Sequence, residues 1–264
     1  MEKQSETSFD FSKVHFVPQT FKKDIDTITI DLIGIGGTGS QVAMGIARIN
    51  YALIDSGRPG IEVRLFDPDT ITVSNLGRQL FTEGEVGLNK AIAITSRINR
   101  VFGTNWKGYN TKWNNSKANI TISCVDSVTE RWKIHNKIVR RKKIIDNNSE
   151  SFKNRRYYWL DTGNDYNFGQ IILGTCGVFK QVSNKSVKRL PNLFDLHPDF
   201  DKEEREDRPS CSLAQALQKQ DLFINGIIAQ YTCNLLWKLL TKDYINYQGV
   251  YINLDTLKTN PILF

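Results

Sequence analysis

A glycine-rich turn between a strand-like run and a helix-like run restricts the fold of this chain more than any other feature. Thr27 to Ile35 is an apolar, β-branched segment, and it runs directly into Gly34-Ile35-Gly36-Gly37-Thr38-Gly39-Ser40. Ser40 to Ile54 then places Val42, Ile46, Ile49 and Leu53 at helical spacing. A strand that passes into a helix through such a turn directs backbone N–H groups and the positive helix end at one point, which suits a phosphate. The same arrangement serves nicotinamide enzymes and ATP enzymes alike, and a purely structural tight turn is a third reading.

The rest of the chain repeats the alternation. A second strand is expected at Ile61 to Asp67 after the turn Gly57-Arg58-Pro59-Gly60, then a helix over Lys90 to Phe102, a strand near Lys107 to Lys112 and a buried strand over Asn119 to Asp126. A helix from Val128 to about Arg141 follows, then a polar, basic insert and two apolar strands, Tyr157 to Asp161 and Gln170 to Cys176, which extend the sheet as a ribbon. Gln181 to Ser210 loses periodicity, collects Pro191, Pro198 and Pro209, and reads as a long mobile loop. Ser212 to Thr241 reads as a long helix, and Val250 to Leu254 and Pro261 to Phe264 as closing strands. Alternating strands and helices predict an α/β protein with a doubly wound, mostly parallel Rossmann-like sheet, a crossover loop and a C-terminal helical and β segment. The expected organisation is one domain over 1–264, with a nucleotide-binding half at 27–135. A second half at 136–264 carries the crossover loop 181–211 and the C-terminal helix and hairpin.

Composition narrows the classes. With 264 residues, 40% apolar, the chain can bury one large core. No apolar run reaches the ~20 residues a bilayer span needs, and Met1 to Asp10 is polar rather than signal-like, so a cytoplasmic protein without a membrane partner is expected. Cys124, Cys176, Cys211 and Cys233 form no CxxC pair, and His15, His135 and His197 offer no zinc spacing. The net charge of +7 is local. Arg140, Arg141, Lys142, Lys143, Lys153, Arg155 and Arg156 face only Asp146 and Glu150, so the segment 140–156 holds +5 of it. That pattern is read as a solvated face, with nucleic acid not expected, although a basic face also suits an acidic protein.

Asp67 closes the second strand, where a carboxylate accepts hydrogen bonds from a ribose diol. NAD and ATP both carry that ribose. The next segment separates them: Asp67-Pro68-Asp69-Thr70-Ile71-Thr72-Val73-Ser74-Asn75-Leu76-Gly77-Arg78-Gln79, followed by Gly87-Leu88-Asn89-Lys90, supplies the cationic and amide donors that a triphosphate requires. Together with Ser123-Cys124-Val125-Asp126-Ser127 and Arg131, these residues resemble the ThiF/MoeB/HesA and ubiquitin-activating superfamily over about residues 28–135. The resemblance implies an adenylation fold that uses ATP and Mg2+. It implies that Gly34, Gly36, Gly37 and Gly39 line the nucleotide, Asp67 binds ribose, Arg78 and Lys90 hold phosphates, Asn75 and Gln79 shape the site, and Asp126 coordinates magnesium. Each residue also has a plain structural role open to it: Asn75 bracing a turn, Lys90 solvated, Asp126 capping a helix.

The second half is similar to ThiF-like proteins of the bacterial PRTRC gene cassette, through Leu173-Gly174-Thr175, Pro209-Ser210-Cys211-Ser212-Leu213-Ala214-Gln215-Ala216-Leu217, Gln220-Asp221-Leu222-Phe223-Ile224-Asn225 and Asn234-Leu235-Leu236-Trp237-Lys238. That resemblance implies activation of a ubiquitin-like protein, with a thioester on Cys211, a possible conjugating-enzyme partner and a homodimer. Cys211 precedes a helix start, where a thiol is more readily ionised, and a small buried hydrophobe is the alternative. The other three cysteines read as core. The family's N-terminal arginine is missing, since no arginine precedes Arg48; Lys22 or Lys23 is the candidate substitute, although lysine lacks the planar fork. A sulfur-carrier adenylyltransferase, a nicotinamide dehydrogenase and a catalytically silent scaffold subunit are the rivals.

Overall fold

The computed structural model describes residues 10–21, 27–139, 155–200 and 221–264, with the backbone of 144–145. In chain order the elements are β1 (His15–Phe16), β2 (Ile28–Ile33), α1 (Gly37–Asp55), β3 (Ile61–Phe66), α2 (Lys90–Phe102), β4 (Lys107–Tyr109), β5 (Ile120–Ser123) and α3 (Val128–Ile138). The second half adds β6 (Ile144–Ile145), β7 (Tyr158–Asn164), β8 (Phe168–Thr175), β9 (Val178–Phe179), α4 (Leu193–Leu196), α5 (Ile224–Thr241), β10 (Tyr244–Ile245), β11 (Tyr247–Asn253) and β12 (Lys258–Leu263).

Eight strands form one sheet in the order β12-β11-β8-β7-β5-β2-β3-β4. The pairs from β4 through β3, β2 and β5 to β7 are parallel, and β8, β11 and β12 continue the sheet antiparallel. Side chains alternate between the two faces of each strand, so Ile30 and Leu32 enter the core beneath α1, α2 and α5, while Ile33 joins Trp159, Ile134 and Phe194 on the other face. Helices thus cover both faces, as buried parallel strands require. The chain leaves β2 toward β3 and β4 on one side and returns to β5 on the other. Strand order therefore reverses between β2 and β5, and in open α/β sheets the ligand crevice lies outside the carboxyl ends at such a switch point.

α2 begins at Lys90 because the Asn89 side chain accepts the Ile92 N–H, and it ends at Gly103 in the left-handed region. α1 starts three residues earlier than the apolar spacing predicts, at Gly37, and packs closely on α5: a Cβ on Gly45 would lie 2.2 Å from Cys233 Sγ. β4 is shorter than expected, and α3 gives way to extended backbone at Val139. Of residues 181–210, read from sequence as a mobile loop, 201–210 lie outside the described residues, and 181–200 are hydrogen-bonded to the fold. The Gln181 side chain exchanges hydrogen bonds with both backbone groups of Phe16, Val187 N–H donates to Val14 O, and Asn192 caps α4, which buries Leu193 and Phe194. Prolines interrupt periodicity there without preventing burial. No helix among the described residues is long and apolar enough to cross a membrane.

Candidate functional site

The glycine turn follows β2 directly. Gly34 has φ +83°, a left-handed conformation, and a Cβ there would stand 2.8 Å from Cys124 O. The other glycines divide in role. A Cβ on Gly39 would fall 1.8 Å from Gly34 O, and one on Gly37 would fall 2.5 Å from Asn225 Nδ2 at the start of α5. Those two allow the protein to pack on itself. Only Gly36 faces open space, with Gln79 Nε2 4.0 Å away as the nearest atom its Cβ would meet. At Gly36 the turn is open, whereas Gly34, Gly37 and Gly39 admit backbone and Asn225.

Asp67 lies just beyond β3 and is buried. Its Oδ2 accepts the Ile35 N–H at 2.6 Å and its Oδ1 accepts the Asp69 N–H at 2.8 Å, which fastens the glycine turn to the end of the neighbouring strand. Burial pushes its carboxyl up from the usual range, against the pull of those two N–H donors. Asn89 completes the frame, donating through Nδ2 to Asp67 O, Asp69 O and Asn110 Oδ1 at 2.8–2.9 Å. Beside it the exposed Tyr109 ring stacks on Phe66, with centroids 4.9 Å apart.

Asn75 is buried in a capping box, where Oδ1 accepts the Thr72 N–H at 2.9 Å and the Thr72 hydroxyl at 3.2 Å. It braces the turn that leads to Gln79. Gln79 N–H donates to Asn75 O at 3.0 Å, and Leu80 N–H reaches Ser40 Oγ at 3.3 Å, so this segment closes over the start of α1. Gln79 Oε1 is buried, with no hydrogen-bond partner among the described residues. Arg78, half-buried, is the neighbouring cation. Lys90, at the first position of α2, donates from Nζ to Asp69 Oδ2 at 3.0 Å and is buried along its stem.

At the end of β5, Asp126 is exposed, with no hydrogen-bond or ion-pair partner among the described residues. Beneath it lies a polar cluster that joins Ser123 and Arg131 of the sequence motif to Trp159 and Asp161 of β7. Buried Asp161 on β7 accepts from Ser123 Oγ at 2.5 Å and pairs with Arg131 Nε at 3.3 Å, while Trp159 Nε1 donates to Ser123 Oγ at 2.7 Å. Burial raises the Asp161 carboxyl, opposed chiefly by the Arg131 charge. Nothing in the sequence pattern singles out Asp161, because it reads as one more residue of an apolar strand.

No group of three or more His, Cys, Asp or Glu gathers among the described residues. A cation here would take Asp126 and draw its other oxygens from phosphate and water, the usual habit of magnesium. The free carboxylate, the open side of Gly36 and the unpartnered Gln79 Oε1 fit a magnesium nucleotide. Burial pushes the thiols of Cys124 and Cys233 up to about 12, and Cys176 is buried, so none of the three is an activated nucleophile. Cys211, Lys22, Lys23 and Arg140 to Lys143 lie outside the described residues.

The sequence matches the ThiF family over residues 11–263. The chain belongs to the ThiF family. Its fold is that of ThiF/MoeB-type adenylation enzymes: Escherichia coli MccB superposes with a TM-score of 0.58 at 17% identity, covering 92% of this chain and 64% of MccB. MccB solved with ATP gives 0.55 at 16% identity over 92% of this chain and 65% of that one. PaaA gives 0.56 at 14% identity, over 96% and 68%. The chain thus spans slightly less than two thirds of the MccB structures, which include complexes with ATP and with MccA. No curated protein matches it in sequence.

Proposed function

We propose that this ThiF-family chain binds ATP with Mg2+ and adenylates the C-terminal carboxylate of a ubiquitin-like protein. The observation that carries this reading is what stands at the carboxyl ends of two paired strands at the switch point: a glycine turn open at Gly36 after β2, and an unencumbered Asp126 after β5. Asp67, already held by the Ile35 and Asp69 N–H groups, keeps further lone pairs for ribose hydroxyls. Arg78 and Lys90 hold phosphate oxygens, Lys90 exchanging Asp69 for phosphate when nucleotide arrives. Gln79 gains a partner for its stranded oxygen. Asp126 would hold the magnesium ion, which would offset charge on the phosphates.

In the reaction a carboxylate oxygen of the polypeptide tail attacks the α-phosphorus, the bond to the bridging oxygen breaks, and pyrophosphate departs. The new anhydride is an acyl-adenylate. Fixed cations aimed at the developing charge lower this barrier more than they stabilise bound ATP. The Cys211 thiolate then attacks the acyl carbon and releases AMP, leaving a thioester. This second step rests on the PRTRC-type phrase around Cys211. A conjugating-enzyme acceptor, a homodimer and a cytoplasmic location belong to the same reading.

A second reading shares the first step and ends at the adenylate, as a sulfur-carrier adenylyltransferase does. The likeness to MccB, which is solved with MccA, favours keeping the class of carboxylate substrate open to other polypeptides. ATP–pyrophosphate exchange in the presence of a ubiquitin-like protein tests both. Exchange that requires the partner's free C-terminus supports adenylation, and a thiol-sensitive adduct lost in Cys211→Ala supports the thioester. Absence of exchange together with absence of ATP binding sinks the proposal.

A further inference from the structure

We propose that the buried Arg131–Asp161 pair is a positioning device that sets the Asp126 carboxylate for metal, and so tunes metal affinity without touching metal, nucleotide or substrate. This rests on the adenylation reading and deepens it. Arg131 is nearly inaccessible, and its Nη2 donates to two carbonyls, Thr162 O at 2.8 Å and Val125 O. The second contact matters most. Val125 O belongs to the planar peptide unit that joins Val125 to Asp126, so fixing that oxygen fixes the plane from which Asp126 departs.

Each neighbouring group of the turn is also held. Cys124 N–H donates to Ile33 O at 2.8 Å, Thr162 Oγ1 donates to Ser123 O at 3.1 Å, and Ser127 Oγ accepts the Glu130 N–H at 3.3 Å to start α3. Arg131 stands one turn into that helix and reaches back under the loop. Its guanidinium is in turn oriented by Asp161, whose Oδ1 also takes the Ser123 hydroxyl that Trp159 holds from the other side. The Phe200 ring centroid lies 5.9 Å from Arg131 Cζ, within reach of a cation–π contact.

A pair that served only as a strut between α3 and β7 would need the Arg131 contact with Asp161 and Thr162. The grip on Val125 adds nothing to such a strut. It does preorganise a carboxylate that is otherwise exposed and unpartnered, which is how outer groups around a metal ligand act.

The test uses the intact chain, Mn2+ as the spectroscopic probe of the magnesium site, and the nonhydrolysable ATP analogue AMPCPP. Mn2+ binding is read by electron paramagnetic resonance, and melting temperature is recorded for each variant. Arg131→Lys keeps a charge for Asp161 but cannot fork to Val125 O, and is expected to weaken Mn2+ about tenfold, the scale of outer-group substitutions. Asp161→Asn keeps an acceptor for Ser123 while releasing the guanidinium, and is expected to do the same. Ser123→Ala leaves both charges in place and serves where either variant fails to fold; a loss of about threefold, below that scale, is expected.

Folded variants that bind Mn2+ as the parent does overturn the positioning role and leave a strut. A parent that forms no Mn2+–AMPCPP complex, or one indifferent to Asp126→Ala, overturns the reading of the site itself. The two failures are therefore distinct.

Discussion

The two strand ends that flank the switch point treat their carboxylates in opposite ways. After β3, Asp67 is buried, and each of its oxygens accepts a backbone N–H from the surrounding loops. After β5, Asp126 is exposed and unpartnered among the described residues, and the hydrogen bonds fall instead on the backbone that carries it. One acid builds the site, whereas the other is displayed by it. Removing the first should therefore be felt by fold and ligand together, and removing the second by ligand alone.

Asp126→Ala is the sharpest way to break that contrast. Pyrophosphate exchange should fall by about a thousandfold, the scale on which a fixed electrostatic partner of the transition state is worth. The melting temperature should stay at the parental value, because no partner is orphaned. A drop of several degrees would show that Asp126 also holds structure and would erase the distinction.

Asp67→Ala should move the other observable. It leaves the Ile35 and Asp69 N–H groups without their acceptor in a buried setting, at a cost of about 3 kcal/mol for the two. Denaturant unfolding would measure this. A variant as stable as the parent, with only ATP affinity reduced, would place Asp67 among displayed groups like Asp126.

Within the glycine turn the same contrast reappears at the scale of a methyl group. Gly36→Ala places its Cβ in open space near Gln79 and should leave unfolding unchanged while weakening ATP by about tenfold through lost contact with the loop. Gly39→Ala drives a Cβ into Gly34 O, so its effect should appear as lost stability before any nucleotide is added. Equal stability for the two variants would mean that the turn has room to relax.

The sequence carries the frame of this site more fully than its supports. Strand, turn and helix around Gly34 to Ser40 were legible because apolar periodicity and glycine placement are local signals, and the bounds of α2 follow from Asn89 and Gly103 on its flanks. Asp161 stayed hidden because a buried acid in an apolar strand leaves no pattern; its meaning comes from Ser123 and Arg131, 38 and 30 positions away. Residues 181–200 misled for the reverse reason. Prolines and broken periodicity speak to long helices and strands, not to burial: Leu190 is buried outside any element, and Leu193 and Phe194 are buried in a helix of four residues, too short to show a period. The division of labour among Gly34, Gly36, Gly37 and Gly39 likewise depends on Cys124, Gln79, Asn225 and the turn itself, three of which are remote in sequence.

The smallest effect concerns the thiols, and it reports on the turn that carries Asp126. Cys124 is two residues before that carboxylate, and burial pushes its thiol up to about 12, as it does for Cys233. At pH 8 on the order of one such thiol in ten thousand is ionised, and only the thiolate alkylates. Iodoacetamide on the native chain should therefore leave Cys124, Cys176 and Cys233 unmodified over the time in which an activated Cys211 is labelled, as peptide mapping would read. Labelling of Cys124 at a rate comparable to Cys211 would mean that the turn opens to solvent, and a carboxylate carried on an opening turn is not displayed by a rigid frame. Silence at Cys124 that gives way in Arg131→Lys, with Cys233 still silent, would trace the rigidity to the grip on the Val125 carbonyl.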